Sequence, residues 1–394
     1  MGGGVAPSDW DATLFADSAA VVVRGPRLAV YAAELDDLFD RTGAPLAARW
    51  PSLDAWSRHH PRYEPWAVLV RRGARVGGGR IDDGTGDGGE LVGAAVLARQ
   101  LRFGCWKIGP AGVEGEPACL AAADPPATTA LATAVRRALG QLDRPWLLRL
   151  TDLPDPDPVA AALMTELPFS ARRPGPDAPQ LRFAPGQPLT AYLSRNTRAA
   201  VAKARNRIIR DGLTANTAWT AAPGQVAAVL PELMSVHRQR SIQVHGRSAF
   251  DDPVAAMFFD AVVRRHASAG KVRLLTLRLD QALAAFALCL LDRDTLWVYA
   301  NMVSPDWLRY SAGTIANAEV VRWAYAAPET AGVDWGTGLQ RYKLSGAVTL
   351  RPSQHLYAWS SRGVQLGVAA RRQLSRNRAP RTEPAGPVPP RERP

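Results

Sequence analysis

The chain has 394 residues, of which 47% are hydrophobic and 21% are charged, and its formal net charge is +12. The length suggests two or three domains, and the composition is that of a globular protein with substantial cores, which excludes a largely disordered chain. The positive charge favours anionic partners such as a nucleic acid or the phosphates of a coenzyme.

The three cysteines, Cys105, Cys119 and Cys289, form no CxxC pair, and their number is odd. This argues against a disulfide framework or a zinc site and fits a reducing compartment. The first ten residues lack the basic and apolar regions of a signal peptide. The most apolar run, 282–291, is too short to span a bilayer. We therefore expect a cytoplasmic protein with no metal site and no membrane span.

Hydrophobic periodicity predicts a series of helices and strands after an N-terminal arm over 1–27. The predicted elements of the first half are helices over 29–39 and 46–59, strands over 66–71, 91–99 and 101–108, a helix over 125–142 and a strand over 146–150. A glycine-rich insertion over 77–89 is expected to be a flexible loop.

The second half repeats this order of elements about 190 residues later. Its predicted elements are helices over 226–240 and 253–269, strands over 272–279, 284–291 and 295–302, a helix over 313–326 and a strand over 333–335. Three antiparallel strands followed by a helix and a parallel strand predict a mixed sheet flanked by helices. The fold class predicted is α/β (α+β), with two such domains in tandem.

Composition shifts set the predicted domain boundaries. The first domain is predicted over 28–173 and the second over 189–362, separated by a proline- and glycine-rich linker over 174–188. The basic, proline-rich tail over 363–394 has little to bury and is expected to be disordered.

The first candidate for chemistry is a basic helix over 194–212. Ser194 can cap its start, and its apolar residues leave a stripe of positive side chains on the other faces. Arg198, Lys203 and Arg205 are the candidates here for binding phosphates, either of a nucleic acid or of a coenzyme. A solvated helix that is merely basic is the alternative interpretation.

Two further stretches carry candidate residues. His237 and Arg240 lie three residues apart on a predicted helix and so share a face, where His237 is a candidate general base. The stretch 299–313 runs from a strand end through a loop to a helix N-terminus, which is a favourable position for an anion. Asn301, Tyr310, Ser311 and Gly313 are its candidate residues.

The fourth stretch, 333–346, is predicted to be a strand that runs into a glycine loop. Asp334 lies in the strand, Gly336 and Gly338 allow a sharp turn, and Tyr342 and Lys343 follow. A lysine beside an aromatic ring at a strand end can bind a negative charge. A P-loop, a GxGxxG in a Rossmann context, HExxH and GxSxG are all absent from the sequence.

These four stretches, in this order, resemble the GNAT superfamily in its tandem form, above all the Fem-like and cellulose-biosynthesis (CelD) acyltransferases. The resemblance covers roughly residues 186–360, whereas the first half matches only in the order of its elements. Its motifs are Ser194 and Arg198 of an S-x-x-x-R helix, His237 and Arg240 of a His-x-x-Arg helix, Tyr310, Ser311 and Gly313 of the loop before a central helix, and Asp334, Trp335, Gly336, Tyr342 and Lys343 of a stretch from Asp-[Phe/Trp]-Gly to Tyr/Phe-Lys.

The resemblance implies transfer of an acyl group to the amine of a small molecule or a cell-envelope precursor. Fem-like members take an aminoacyl group from aminoacyl-tRNA, and ordinary GNAT enzymes take an acyl group from acyl-CoA. Either donor would be a co-substrate, and no tightly bound cofactor is expected. In this pattern Lys343 would face the oxyanion of the reaction or a phosphate of the donor.

One departure leaves the donor open. Ordinary GNAT enzymes carry Gln/Arg-x-x-Gly-x-Gly/Ala for the diphosphate of CoA, whereas here Gly313 comes one place late and no second glycine follows. The proton of the amine could pass to Tyr310, His237 or a water-linked Asp334, or to no dedicated base. A non-catalytic protein that binds RNA or another anionic polymer is the rival interpretation.

Overall fold

The computed structural model describes residues 12–15, 18–73, 89–112, 116, 118–368 and 370. The glycine-rich insertion predicted over 77–89 lies, apart from Gly89, outside the described residues, and so does most of the predicted tail. The part of the chain that the structure describes forms two similar halves, each with one sheet.

The first half contains eight strands and four α-helices within the described residues. They are β1 (Ala12–Phe15), β2 (Ser18–Arg24), α1 (Ala32–Thr42), α2 (Trp50–His59), β3 (Glu64–Arg72), β4 (Glu90–Arg102), β5 (Cys105–Pro110), β6 (Ala121–Ala122), α3 (Pro125–Gly140), β7 (Trp146–Pro154), α4 (Pro158–Glu166) and β8 (Ser170–Pro174). The strand predicted over 101–108 is instead the end of β4, a turn and β5, because Phe103 and Gly104 adopt positive φ angles.

The second half follows the same plan. Its elements are β9 (Ala178–Arg182), α5 (Leu189–Tyr192), α6 (Arg195–Arg210), β10 (Ala215–Thr220), α7 (Pro223–His245), α8 (Pro253–Ser268), β11 (Val272–Leu279), β12 (Ala282–Asp292), β13 (Thr295–Val303), α9 (Ala312–Ala326), β14 (Gly332–Asp334), β15 (Val348–Arg351) and β16 (Ser353–Trp359).

Both sheets are mixed, and in each of them one pair of strands is parallel. The first has the order β1-β2-β3-β4-β5-β7-β16-β8, with β6 beside β4, and the second has the order β10-β11-β12-β13-β14-β9-β15. The parallel pairs are β5 with β7 and β13 with β14, and each is joined by a helix, α3 or α9, that packs on its own sheet. This confirms the predicted fold class of two tandem mixed sheets flanked by helices.

Each sheet contains one interior strand from outside the domain predicted for it, and we call these two, β16 and β9, the exchanged strands. β16, near the C-terminal end of the described chain, lies between β7 and β8 of the first sheet, and β9 lies between β14 and β15 of the second. The predicted boundaries therefore differ from those of the structure. The stretch predicted to be a linker contains β9, and the predicted arm contains β2. Residues 353–359, predicted to belong to the second domain, form β16 of the first sheet. In each sheet, an interior position is occupied by a strand from outside the predicted domain.

Helices α2 and α8 join the halves. Phe258 and Val262 of α8 complete the apolar core beneath α1 and α2. Around it, Arg265 forms an ion pair with Asp54 at 2.8 Å, and the Oγ of Ser52 lies 2.9 Å from Nε2 of buried His266. This packing fixes the first half against the face of the second sheet that carries α7 and α8.

Candidate active site

The parallel pair β13–β14 leaves an opening in the second sheet. The register pairs Thr295 with Gly332 and Trp297 with Asp334, and β14 ends there, whereas β13 continues to Val303. Gly336 then adopts a φ of 68° and turns the chain away. Within the described residues, the edge of β13 over 298–303 is therefore not paired on this side.

A β-bulge lies at the start of the opening. On β12, Leu288 pairs with Ala300 and Cys289 pairs with Val298, so Tyr299 is the extra residue. Tyr299 and Ala300 consequently both contact the core beneath α7 and α8, although neighbouring strand residues normally alternate. The bulge also turns Asn301 to the opposite face, where its Nδ2 lies 3.1 Å from Oδ1 of Asn317 on α9.

Helix α9 begins beside this edge. Its N-cap, Ser311, has a φ of 54°, and no side chain caps the backbone N–H groups of the first turn, which contains no acidic residue among these described positions. Gly313 packs against β13 so closely that a Cβ there would lie 2.5 Å from Cγ2 of Val303. The first turn therefore presents backbone donors and the positive end of the helix dipole to the opening.

Lys343 lies on the other side of the opening, in a short 3-10 helix over Arg341–Leu344. Its side chain is 7% exposed, and its Nζ donates to the carbonyl oxygens of Thr337, at 2.7 Å, and Gly336, at 3.4 Å. Burial lowers the pKa of the ammonium, and the Asp334 carboxylate opposes that change. Two of its three N–H groups thus fix the glycine loop, and one is left for a ligand.

Tyr342 and Asn301 connect the two sides. The hydroxyl of Tyr342 donates to Oδ1 of Asn301 at 3.2 Å, and Asn301 in turn donates to Asn317. Burial raises the pKa of the Tyr342 hydroxyl, which keeps it protonated and able to donate. The predicted site residues Asn301, Tyr342, Lys343, Ser311 and Gly313 thus lie around one opening.

Asp334 is occupied by structural contacts. Its carboxylate accepts from the backbone N–H of Gly336 at 2.7 Å, from Gln180 of β9 at 2.7 Å and from Arg351 of β15 at 3.0 Å. These bonds fix the turn after β14 and connect the exchanged strand β9 to it. The geometry gives Asp334 a positioning role, and proton removal by Asp334 stays an untested prediction.

Tyr310 and His237 are engaged by neighbouring side chains. Tyr310 is 1% exposed in the core between α6 and α9, and its hydroxyl accepts from Arg309. His237 packs on Phe250 with ring centroids 4.5 Å apart, and burial lowers its pKa. Arg240 donates to Gln243 on the same helix. A role of Tyr310 or His237 as the base stays an untested prediction.

The positive residues of α6 mostly bind other parts of the protein. Arg198 donates to the carbonyl oxygen of Leu193 at 2.9 Å, Arg205 pairs with Glu319 of α9 at 2.7 Å, and Arg207 donates to the carbonyl of Arg309. Lys203 is exposed. The stripe therefore fastens α6 to α9 and to the loop before it, which is a structural role that residue types alone do not reveal.

The sequence patterns missed one further group, Glu116, which lies in the loop after β5 of the first half. The Glu116 carboxylate accepts from the hydroxyl of Tyr299, the bulge residue. Burial raises the pKa of Glu116 to about 7, against the opposing effect of this hydrogen bond. It is far from Tyr299 along the chain and belongs to no motif, so only the packing of the halves could reveal it.

Comparison with known proteins is consistent with this geometry. Residues 195–344 match the family model of the acetyltransferase (GNAT) domain. The structure is similar to FemX, with 9% identity over 82% of this chain and 95% of that chain and a TM-score of 0.54. At this identity the similarity shows a shared fold. A search of curated proteins gives no match.

Two other solved structures are similar at lower scores. One is the C-terminal domain of a putative lysylphosphatidylglycerol synthetase from Agrobacterium fabrum, with 13% identity over 86% of this chain and 97% of that chain and a TM-score of 0.48. The other is a tandem GNAT protein from the clavulanic acid biosynthesis pathway, with 15% identity over 87% of this chain and 99% of that chain and a TM-score of 0.45.

Two properties bear on the predictions from composition. No helix in the described ranges is both long enough and apolar enough to cross a membrane. Among the same residues, no group of three or more His, Cys, Asp or Glu side chains could hold a metal ion.

Proposed function

We propose that the chain is a tandem-GNAT acyltransferase of the Fem-like group and that its second half, which contains the match to the acetyltransferase (GNAT) domain, transfers an acyl group from acyl-CoA to an amine. The observation that carries this proposal is the unpaired edge of β13, which meets the uncapped N-terminus of α9. The donor's diphosphate would bind at the first turn of α9, and its thioester would lie in the opening beside Tyr299 and Lys343.

The first turn of α9 suits a diphosphate. Backbone N–H groups at a helix start and the helix dipole together favour an anion, and no carboxylate competes for the first turn. Gly313 allows the helix to approach β13 without a side chain in between. Gly313 lies one residue later than the glycine of the usual CoA motif, and the close approach of α9 to β13 explains why glycine is needed there. Ser311, with its positive φ, forms the turn into the helix.

Lys343 is the proposed partner of the oxyanion. Attack of an amine on a thioester places negative charge on the carbonyl oxygen, and an ammonium with one unused N–H beside the opening can stabilise that charge. The two loop carbonyls bound to Lys343 orient it before the substrate arrives, so little reorganisation is needed during the reaction.

Acyl-CoA is favoured over aminoacyl-tRNA because of the contacts of α6. A tRNA donor needs many free cations along its phosphates. Arg198, Arg205 and Arg207 instead bind protein groups. An aminoacyl-tRNA donor is the second candidate, supported by the net charge of +12 and the exposed Lys203.

The donor test uses labelled acetyl-CoA and, separately, labelled aminoacyl-tRNA, each incubated with the full chain and a mixture of primary amines. We expect label to move to amine from acetyl-CoA. Label that moves only from aminoacyl-tRNA would select the second candidate. Transfer from neither donor would overturn both.

Lys343→Met tests the oxyanion role. We expect kcat to fall about 10²- to 10³-fold, the usual cost of one lost oxyanion contact. Arg341→Ala is the matched control, since it removes an exposed positive charge from the same 3-10 helix. Wild-type kcat in Lys343→Met would contradict the assignment, and a fall shared equally by Arg341→Ala would indicate a general charge effect.

A further inference from the structure

The first half contains a cavity of about 1360 Å³ between its sheet and helices α1 and α2. Its walls include Phe39 of α1, Trp56 of α2, Tyr357 of the exchanged strand β16 and Glu116. Strands β5 and β7 pair only from Trp106 with Trp146 to Ile108 with Leu148. The cavity lies where the two strands separate beyond these pairs. It is the first half's counterpart of the opening beside β13.

Glu116 connects this cavity to the second half. It lines the cavity and accepts the hydrogen bond of Tyr299, and Tyr299 is the bulge residue at the start of the β13 opening. The ring of Tyr299 stacks on Phe259 of α8, so the contact lies on the α8 face of the second sheet. The first turn of α9 lies on the other face. A thioester in the opening would therefore have its phosphates on one side and Glu116 on the other.

We propose that the first-half cavity binds the acceptor and that Glu116 is the base that takes the proton of its amine. This inference rests on the proposed acyl transfer in the second half. It makes the active site a joint product of both halves, with the donor bound by the second and the acceptor by the first.

The proton balance is complete without another reactant. The Glu116 carboxylate takes one proton from the acceptor's ammonium, and the neutral nitrogen attacks the thioester carbonyl carbon. The carbon–nitrogen bond forms, the carbon–sulfur bond breaks, and CoA leaves as a thiolate. The nitrogen, still positively charged, gives its second proton to the thiolate, and Glu116 later releases its proton to water through the cavity.

The environment of Glu116 suits a base. Burial raises its pKa to about 7, and a base works best when its pKa lies near the working pH. The hydroxyl of Tyr299 keeps its own proton, because burial and the nearby carboxylate hold the pKa of Tyr299 well above its ordinary value. The hydroxyl thus stays a donor that orients the carboxylate.

The cavity walls indicate the class of acceptor. Apolar side chains make up much of the lining, and α1, α2 and β16 each contribute an aromatic ring, so the amine is expected on an apolar or aromatic body. Other ionisable groups face the same cavity and could influence its pH dependence. They are His60, Arg102, Cys105, Lys107, Cys119 and Arg149, with the phenols of Tyr63 and Tyr357.

Glu116→Gln tests the role directly, with acetyl-CoA as donor and the best amine from the donor screen as acceptor. The glutamine keeps an oxygen that can accept from Tyr299 but cannot take a proton from an ammonium. We expect kcat/KM to fall about 10²- to 10⁴-fold and its rise through pH 7 to disappear. The Kd of acetyl-CoA, measured by calorimetry without acceptor, should stay at the wild-type value. Glu90→Gln, which changes an exposed carboxylate of the same half, is the control.

Tyr299→Phe gives a second readout that a structural role would not produce. The hydrogen bond from its hydroxyl favours the charged carboxylate, so its loss should raise the pKa of Glu116. The pH profile of kcat/KM should therefore move to higher pH. A profile that moves to lower pH, or does not move, would contradict the assignment.

Stability provides the check on folding. The pKa of Glu116 is raised in the folded state, so the folded protein binds more protons than the unfolded chain between the two pKa values, and its stability falls as pH rises through that window. Glu116→Gln removes this penalty and should raise the melting temperature at pH 8 relative to wild type. A variant that melts earlier and loses activity would instead make Glu116 structural.

The outcomes separate the two proposals. Wild-type transfer with unchanged activity and pH profile in Glu116→Gln would overturn the base and leave the acyl transfer standing. No transfer by the wild-type chain from any donor would overturn the proposed function, and the role of Glu116 with it.

Discussion

Helices α3 and α9 occupy the same place in the two halves, yet their N-termini are opposite in character. Asp124 caps α3 by accepting from the N–H of Ala127 at 2.9 Å, and it also pairs with Arg72 at 2.7 Å. These contacts hold the pKa of Asp124 below its ordinary value. Pro125 and Pro126 follow, and proline has no N–H to offer. The start of α9 has neither a carboxylate nor a proline.

Under the proposed function, this difference would let two copies of one fold divide a reaction. Both halves keep an opening where their parallel strands separate, after Ile108 in the first and after Trp297 in the second. Only the second keeps a helix start that can receive an anion, and only its strand has a bulge, since β5 pairs with β4 in regular register. The first half has instead a cavity at this place, lined by apolar side chains together with the ionisable groups named above.

The largest expected effect is a loss of stability when the exchanged strands β16 and β9 are altered. Leu356 of β16 is 1% exposed in the first half's core, and Leu181 of β9 is 1% exposed in the second's. Leu356→Ala and Leu181→Ala should each lower the free energy of unfolding by about 2–5 kcal/mol, because each leaves a cavity. Urea denaturation measures the loss.

Hydrogen exchange shows which strands are destabilised by each substitution. Leu356→Ala should speed exchange first in β7 and β8, and Leu181→Ala first in β14 and β15, since these strands flank the substituted ones. Faster exchange confined to residues adjacent in sequence would mean that the exchanged strands do not stabilise the sheets they enter.

Gly313→Val tests the contrast between the helix starts. Its side chain would overlap Val303 and push α9 away from β13, and a shift of about 1 Å in a substrate-positioning element can cost 10²-fold in rate. We expect kcat/KM with acetyl-CoA to fall by about that factor. Pro126→Val is the matched control at the same position of α3, where the residue is exposed. Equal losses in both variants would abolish the proposed division of labour.

The smallest expected effect is a change in stability that has opposite signs at the N-caps of α9 and α3. Ser311 has a φ of 54°, a conformation that costs an L-residue about 1–2 kcal/mol, so Ser311→Gly should stabilise the fold by up to about 1 kcal/mol after the entropy of glycine is deducted. Asp124→Ala should destabilise it by about 0.5–2 kcal/mol, because the cap of α3 is lost. Thermal unfolding of both variants against wild type measures these changes, and a shift of the same sign in both would contradict the comparison.

Much of this architecture could be predicted from local pattern. The apolar periodicity of α6 and α8 reflects one buried face each, and such a face is visible in sequence. The motifs at Ser311, Gly313 and Lys343 could be placed at one site because a strand end and the next helix start must be neighbours. Strands β9 and β16 could not be placed, because a short strand carries no signal of which sheet it enters.

Periodicity and turn residues are local properties, so the repeated order of elements and the candidates around Lys343 could be predicted without a structure. The tertiary structure alone decided that Asp334 is engaged by Gln180 and Arg351 and that the arginines of α6 bind protein groups. It also brought Glu116 of the first half to Tyr299 of the second. Contacts between residues far apart in the chain depend on how sheets and helices pack, and no local pattern encodes them.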